Sequence, residues 1–229
     1  MIDLYSFPTP NGWKVSIALE ELELPYTLRS VDISRGEQFA PEFLEISPNN
    51  RVPAIVDHAP RGGGEPLSVF ESGAILLYLA EKSGRLLPRD ERGRVAAIEW
   101  LMWQMGGLGP MCGQAGHFLN YAPERVEYGI DRYSNEVRRL YGVLDRRLEG
   151  REFIADEYSV ADIAAWPWIS LHGHHGVDPA DFPQLDRWYQ AIGAREAVVR
   201  GTGVGLEAIQ SGEQTIDAEG EDHLFGRRY

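Results

Sequence analysis

Cysteine is nearly absent from this sequence, basic residues are in deficit, and no apolar stretch is long enough to cross a bilayer. The single cysteine among 229 residues, Cys112, excludes an intrachain disulfide and makes a reducing, cytoplasmic compartment the expectation. Lysines and arginines number 22 against 35 aspartates and glutamates, a formal net charge of −13. That sign disfavours nucleic acid and anionic membrane as partners, because phosphate recognition requires clustered basic side chains. The longest uninterrupted apolar runs, Ala74–Ala80 and Ile163–Ile169, fall far short of the ~20 residues of a membrane helix. No basic stretch precedes an apolar one in the first residues, so a secretory signal is not expected. What is there is 43% hydrophobic and 25% charged, the make-up of a globular protein that handles small molecules.

The first eighty-odd residues alternate strand and helix patterns. Ile2–Ser6 reads as a strand and Gly12–Glu23 as an amphipathic helix that turns Val15, Ile17, Ala18 and Leu22 to a core. Pro25 ends it, and Tyr26–Asp32 alternates like a second strand. A polar stretch with one helical turn near Pro41–Leu44 leads to a third strand over Val52–His58. The turn cluster "PRGGGEP" and a fourth strand, Leu67–Phe70, complete a hairpin, and "ESGAILLYLAEKSG" follows as a helix stopped by Gly84. Beyond a short polar linker at Pro88–Arg92 the pattern is helical throughout: Arg94–Met105, apolar nearly all round and so expected to be buried; a long amphipathic helix through Leu140 and Leu144; "YSVADIAAWPWI", with Ser159 and Asp162 spaced as a capping box; and a last helix bounded by Pro183. The fold class is therefore α/β plus all-α, with domains over 1–87 and 93–210 and an acidic tail over 211–229.

Three segments carry chemistry. In "ISPNNRVPAIVD", Pro53 opens a strand after a polar turn. A cis bond there would turn the N–H and C=O of Val52 outward, ready to pair with an extended peptide; a trans proline at a strand start is the alternative. In "FESGAI", Ser72 stands at a helix start, where free N–H groups and the helix dipole favour a carboxylate, and Glu71 beside it matches an ammonium. The pair suits the zwitterionic end of an α-amino acid, or Ser72 simply caps its helix. In "SFPTPNGWK", Thr9 and Asn11 either cap the first helix or offer a hydroxyl and an amide to a sulfur, which as thiolate is favoured at a helix N-terminus.

With "PTPNG", "GEQF", "ISPNNRVPAIVD", "EPLSVFESGAILLYLAEKSG", "WQMGGLGPM" and "YSVADIAAWPW" in this order, the chain resembles the glutathione transferase superfamily. The resemblance runs from Ile2 to Thr202 and is specific for the Nu-class bacterial enzymes, which are similar to the yeast nitrogen-regulatory prion-type proteins and act as glutathione-dependent disulfide-bond oxidoreductases. It implies an N-terminal thioredoxin-like domain, a C-terminal helical domain and a homodimer. In the first turn, where a thioredoxin-like redox enzyme has its cysteines, this chain has none, because the family's thiol arrives with bound glutathione. The resemblance assigns Thr9 and Asn11 to the glutathione sulfur, Gln38 to the glycine end, Val52 with Pro53 to the cysteine moiety, and Glu71 with Ser72 to the γ-glutamyl end. Arg132, from the helical domain, is the implied contact to a carboxylate, a task its guanidinium fork fits; a surface arginine is the alternative.

The implied ligand is two molecules of reduced glutathione, or oxidised glutathione, and the implied reaction is thiol–disulfide exchange with a small disulfide. Conjugation of glutathione to an electrophile, with peroxidase activity toward organic hydroperoxides, is the alternative enzyme reading, and a regulatory glutathione-binding protein the non-enzymatic one. Cys112 reads as a buried small hydrophobe rather than a resolving thiol. His172, His174 and His175 in "HGHH" have no supporting carboxylates or cysteines, so no metal is expected.

Overall fold

The computed structural model describes residues 1–206, which divide into two compact units, Met1–Ser83 together with 196–206, and Gly84–Arg195. The acidic tail read at 211–229 lies outside the described residues. No helix among them is long and apolar enough to cross a membrane.

In the first unit, β1 (Ile2–Ser6) and β2 (Tyr26–Ser30) run parallel, so the chain must cross back between them, and α1 (Pro10–Leu22) makes that crossing. α1 starts two residues earlier than Gly12, because Pro10 supplies a fixed φ at the first helical position and Thr9 caps the end. Helix α2 (Pro41–Leu44) leads to β3 (Ala54–Asp57), which pairs antiparallel with both β1 and β4 (Leu67–Phe70). The sheet order is β2-β1-β3-β4, and α3 (Ser72–Ser83) follows β4 directly. β2 and β3 are shorter at their ends than the alternation suggests, but the topology is the expected βαβ-ββα. Leu4, Val15, Ile17, Ala18, Ile55, Ile75 and Leu79 are fully buried between sheet and helices. A second small cluster of Val31, Phe43 and Ala54 closes the other face, with Tyr5 and Val52 packed against it.

The second unit is helical: α4 (Glu91–Trp103), α5 (Gly109–Gly116), α6 (Glu127–Arg147), α7 (Val160–Ile169) and α8 (Pro183–Gly193). α4 is a correction. Only Ala97 and Leu101 are buried along it, while Val95 and Met102 are each 49% exposed. Arg94 and Glu99 interrupt the apolar run and leave one buried stripe rather than a buried cylinder. Two five-residue π segments, Gln104–Leu108 and His117–Tyr121, flank α5. The last helix, α9 (Glu196–Gly203), belongs with the first unit and packs on α1, where the sequence pattern had grouped it with the helical part.

The capping box of α7 is present as read. Asp162, fully buried, accepts from Ser159 N at 3.0 Å and Ser159 Oγ at 3.3 Å, and also from Ile154 N at 3.0 Å and Trp188 Nε1 at 2.9 Å. Burial outweighs these four donors and pushes its carboxyl up to about 6. Replacing Asp162 with Ala orphans buried donors at the N-cap of α7, on α8 and in the loop before α7. The expected loss is roughly 3–5 kcal/mol of unfolding free energy. Urea denaturation at neutral pH checks it, and a loss below about 1 kcal/mol would make the carboxylate a bystander.

Candidate functional site

The sheet register brings the three chemistry-bearing segments to one end of the first unit. Tyr5 stands opposite Ala54, and Ala54 opposite Phe70. The turn after β1, the Val52–Pro53 step before β3 and the Glu71–Ser72 step after β4 therefore leave the sheet at the same edge. The parallel pair Ser6 and Ser30 puts the exit of β2, and with it the loop to Gln38, on that edge as well.

Each segment is held by local chemistry. Thr9 has extended backbone and its Oγ1 accepts from Gly12 N at 3.2 Å, so the capping alternative for Thr9 holds whatever else its hydroxyl does. Asn11, at the second helical position, is half-buried beside it. The Val52–Pro53 bond is cis, and Val52 is half-buried ahead of β3. Glu71 has φ of 70°, left-handed backbone that a non-glycine residue adopts only where its surroundings impose it. Its carbonyl accepts from Ile75 N at 2.9 Å, so α3 begins immediately after it. Ser72, 4% exposed, is the first helical residue, and its N–H belongs to the set that the helix leaves without an intrahelical acceptor.

Gln38 lies in a single 3₁₀ turn, Glu37–Phe39, and is buried. Its Nε2 donates to Ile33 O at 3.3 Å, while its Oε1 is buried without a hydrogen-bond partner among the described residues. An acceptor left this way calls for a donor, such as a peptide N–H, rather than a carboxylate. Arg132 belongs to the second unit, exposed on α6 with its guanidinium carbon 6.0 Å from the centre of the Tyr133 ring.

One residue escaped the sequence reading. Lys14 is 1% exposed and its Nζ donates to Ser72 Oγ at 3.5 Å. The signal was present: Lys14 precedes Ile17 and Ala18 by three and four positions, so helical spacing places it on the buried face. Burial pushes its ammonium down to about 7, against the opposing pull of Glu71.

Cys112 is fully buried in α5 of the second unit, and burial raises its thiol pKa well above the ordinary value. His175 is buried beside Trp168, with its ring pKa lowered to about 4 by burial and by His174 and His172. No three metal-ligating side chains come together among the described residues.

The first turn tolerates no side chain at Gly12. A Cβ there would lie 2.3 Å from Phe7 O and 2.5 Å from Ser6 Oγ. Phe7 O also accepts from Thr9 N at 2.7 Å, so the methyl group would push on the residue that caps α1. Gly12→Ala is expected to cost roughly 1–3 kcal/mol in a denaturation midpoint series. Gly106→Ala, where a Cβ meets nothing within 4 Å, serves as the control and should cost nothing. Equal stability of the two variants would show that the turn yields.

Residues 1–81 match the family described as glutathione S-transferase, N-terminal domain, and residues 105–196 match the glutathione S-transferase C-terminal domain. The disulfide-bond oxidoreductase YfcG of Escherichia coli is 52% identical over 219 residues, covering 95% of this chain and 100% of that protein. The disulfide-bond oxidoreductase YghU of the same organism is 42% identical over 214 residues, with 87% and 73% covered. Among solved structures, a Pseudomonas putida glutathione transferase with one glutathione disulfide bound per subunit is 47% identical with a TM-score of 0.83, covering 89% of this chain and 91% of that one. A Pseudomonas fluorescens family member with two glutathione bound is 49% identical with a TM-score of 0.84, covering 88% and 92%. With both domain families matched in order and relatives this similar along nearly its whole length, the chain belongs to the glutathione transferase superfamily.

Proposed function

We propose that this protein is a glutathione-dependent disulfide-bond oxidoreductase whose redox sulfur is that of bound glutathione. The observation that carries the reading is the cysteine-free first turn. Thr9, Asn11 and the start of α1 share an edge of the sheet with Val52 and Ser72, and the chain's one thiol, Cys112, is buried in the other unit. Relatives named as disulfide-bond oxidoreductases, and structures of relatives holding glutathione or its disulfide, support it.

In this reading Val52 meets the cysteine moiety of glutathione backbone to backbone beside Pro53, and Glu71 with Ser72 takes the γ-glutamyl ammonium and carboxylate. Gln38 takes the glycine end through its peptide N–H, and Arg132 takes a carboxylate. Thr9 and Asn11 hydrogen-bond the sulfur. The helix N-terminus favours the thiolate, which attacks one sulfur of a small disulfide. One S–S bond forms as another breaks, and the released thiolate takes up a proton. A second glutathione thiolate then resolves the mixed disulfide, giving oxidised glutathione and a second free thiol. The two electrons gained by the substrate come from two glutathiones. A homodimer of the Nu class working in the cytoplasm, without a metal, completes the proposal.

The test compares glutathione-dependent reduction of 2-hydroxyethyl disulfide with conjugation to 1-chloro-2,4-dinitrobenzene in one preparation. Fast reduction with feeble conjugation is expected, and the reverse would make the protein a conjugating transferase. Asn11→Ala should lower kcat for reduction roughly 10- to 100-fold, the worth of a hydrogen bond to a charged sulfur. Cys112→Ala should stay within about twofold of the parent, since a buried, protonated thiol takes no part in exchange. An inactive Cys112→Ala variant that keeps its fold would overturn the assignment of the sulfur to glutathione.

A further inference from the structure

We propose that the His172–His175 turn is an acid-sensitive latch on the end of α5. With His175 neutral the turn holds the π segment His117–Tyr121 in place, and with His175 protonated it releases that segment. The device lies wholly within the helical unit and goes beyond the function proposed above.

The π segment needs a hold of its own. A π turn is rarer than an α turn and marks functional sites, and its signature bond is present, His117 O accepting from Ala122 N at 2.8 Å. The histidine turn supplies the hold. Asn120 Nδ2 donates to Gly116 O at 2.9 Å and to His174 O at 2.9 Å, so one amide ties the end of α5 and the π segment to the turn. In the same turn His175 is 2% exposed and stacks on Trp168 of α7, with 6.2 Å between ring centres and 26° between planes. A Cβ at Gly116 would lie 3.8 Å from His175 Cδ2, which places the ring against the backbone of α5. Gly176 closes the turn with φ of 67°, and a Cβ there would touch Leu119 Cδ1 at 3.4 Å. A shift of the imidazole therefore disturbs residues 116–120 directly.

The elements packed on His175 offer a proton there no counter-charge. Its Nδ1 is buried without a hydrogen-bond partner among the described residues. α5 and the π segment contribute Cys112, a buried thiol, with His117 and Tyr121, and no carboxylate. On α7 the ionisable group is Asp162, engaged by four donors at the other end of that helix. The turn itself adds His174 and His172, whose Nδ1 lies 3.2 Å from Val177 O and whose ring meets Tyr189 of α8 edge-on. Burial first, then His174 and His172, bring the His175 ring down to about 4 from its ordinary 6.5. The closed turn thus excludes a proton that the opened turn binds. The latch is held above about pH 7 and loses its hold as the pH falls through 6.5 toward 4. From pH 7.5 to 5 the ratio of open to closed turn is expected to rise about 25-fold.

Hydrogen exchange of the full chain, read peptide by peptide from about pH 8 to 4.5 and corrected for the intrinsic rate at each pH, tests this. Protection of residues 116–121 is expected to be level above about pH 7 and to fall about 25-fold between pH 7.5 and 5. The α6 peptide around the buried Leu140 and Leu144 should keep its protection within about threefold. His175→Phe keeps an aromatic ring beside Trp168 and takes up no proton, so its residues 116–121 should change by less than about threefold over the same range. Level protection of the wild-type segment, a fall shared equally by α6, or an undiminished fall in His175→Phe overturns the proposal. Should His175→Phe fail to fold, the wild-type profiles decide it together with the His175 ring followed by NMR. That ring is expected to titrate near pH 4, and titration at its ordinary 6.5 in the closed protein overturns the proposal.

Discussion

The antiparallel pairing of β3 with both of its neighbours is the constraint on which the site depends. Ala54 faces Tyr5 on one side and Phe70 on the other, so three loops far apart in sequence leave the sheet in a row. Each loop then has one task. A capped helix start follows β1, a cis Val52–Pro53 step precedes β3, and a second helix start follows β4. A slip of one residue in either pairing would reverse which side chains face the core and displace one loop from the row. The apolar alternation of Ile55 inside and Val56 half-exposed pins that register.

Much of this was legible in the sequence, for reasons that can be named. β1 and β4 were read to the residue because turn signals bound them tightly, and the Ser159–Asp162 box announced α7. The edges of the other strands were not, since alternation continues past the point where a pairing partner runs out. The half-exposure of α4 is hidden in the sequence because its apolar content is high while only Arg94 and Glu99 break the apolar run. Lys14 is hidden for the opposite reason: its residue type points to solvent while its helical position points to the core. A buried charge is the exception that helical spacing detects before composition does.

A chain with a formal charge of −13 has an electrostatic problem in binding a ligand that is itself anionic. In the proposed reading the candidate site meets it locally, with the backbone N–H groups at the starts of α1 and α3 as donors. Such groups act over a few ångströms, in a medium less polar than water, and the surface acidity beyond a Debye length hardly reaches them.

α9 has a consequence for how the molecule comes into being. Ser16 Oγ on α1 donates to Gly201 O at 2.7 Å, and a Cβ at Gly201 would lie 2.6 Å from Ile17 Cα, so α9 is pressed against the backbone of the first helix. The first unit is thus discontinuous in sequence: its sheet emerges from the ribosome early, but the face of α1 behind the candidate site is covered only after residue 201 has been made. Every residue of the helical unit is synthesised while that face waits. The order of synthesis and the order of completion run opposite ways, and the turn that carries Thr9 and Asn11 gains its full support from nearly the last part of the described chain to appear.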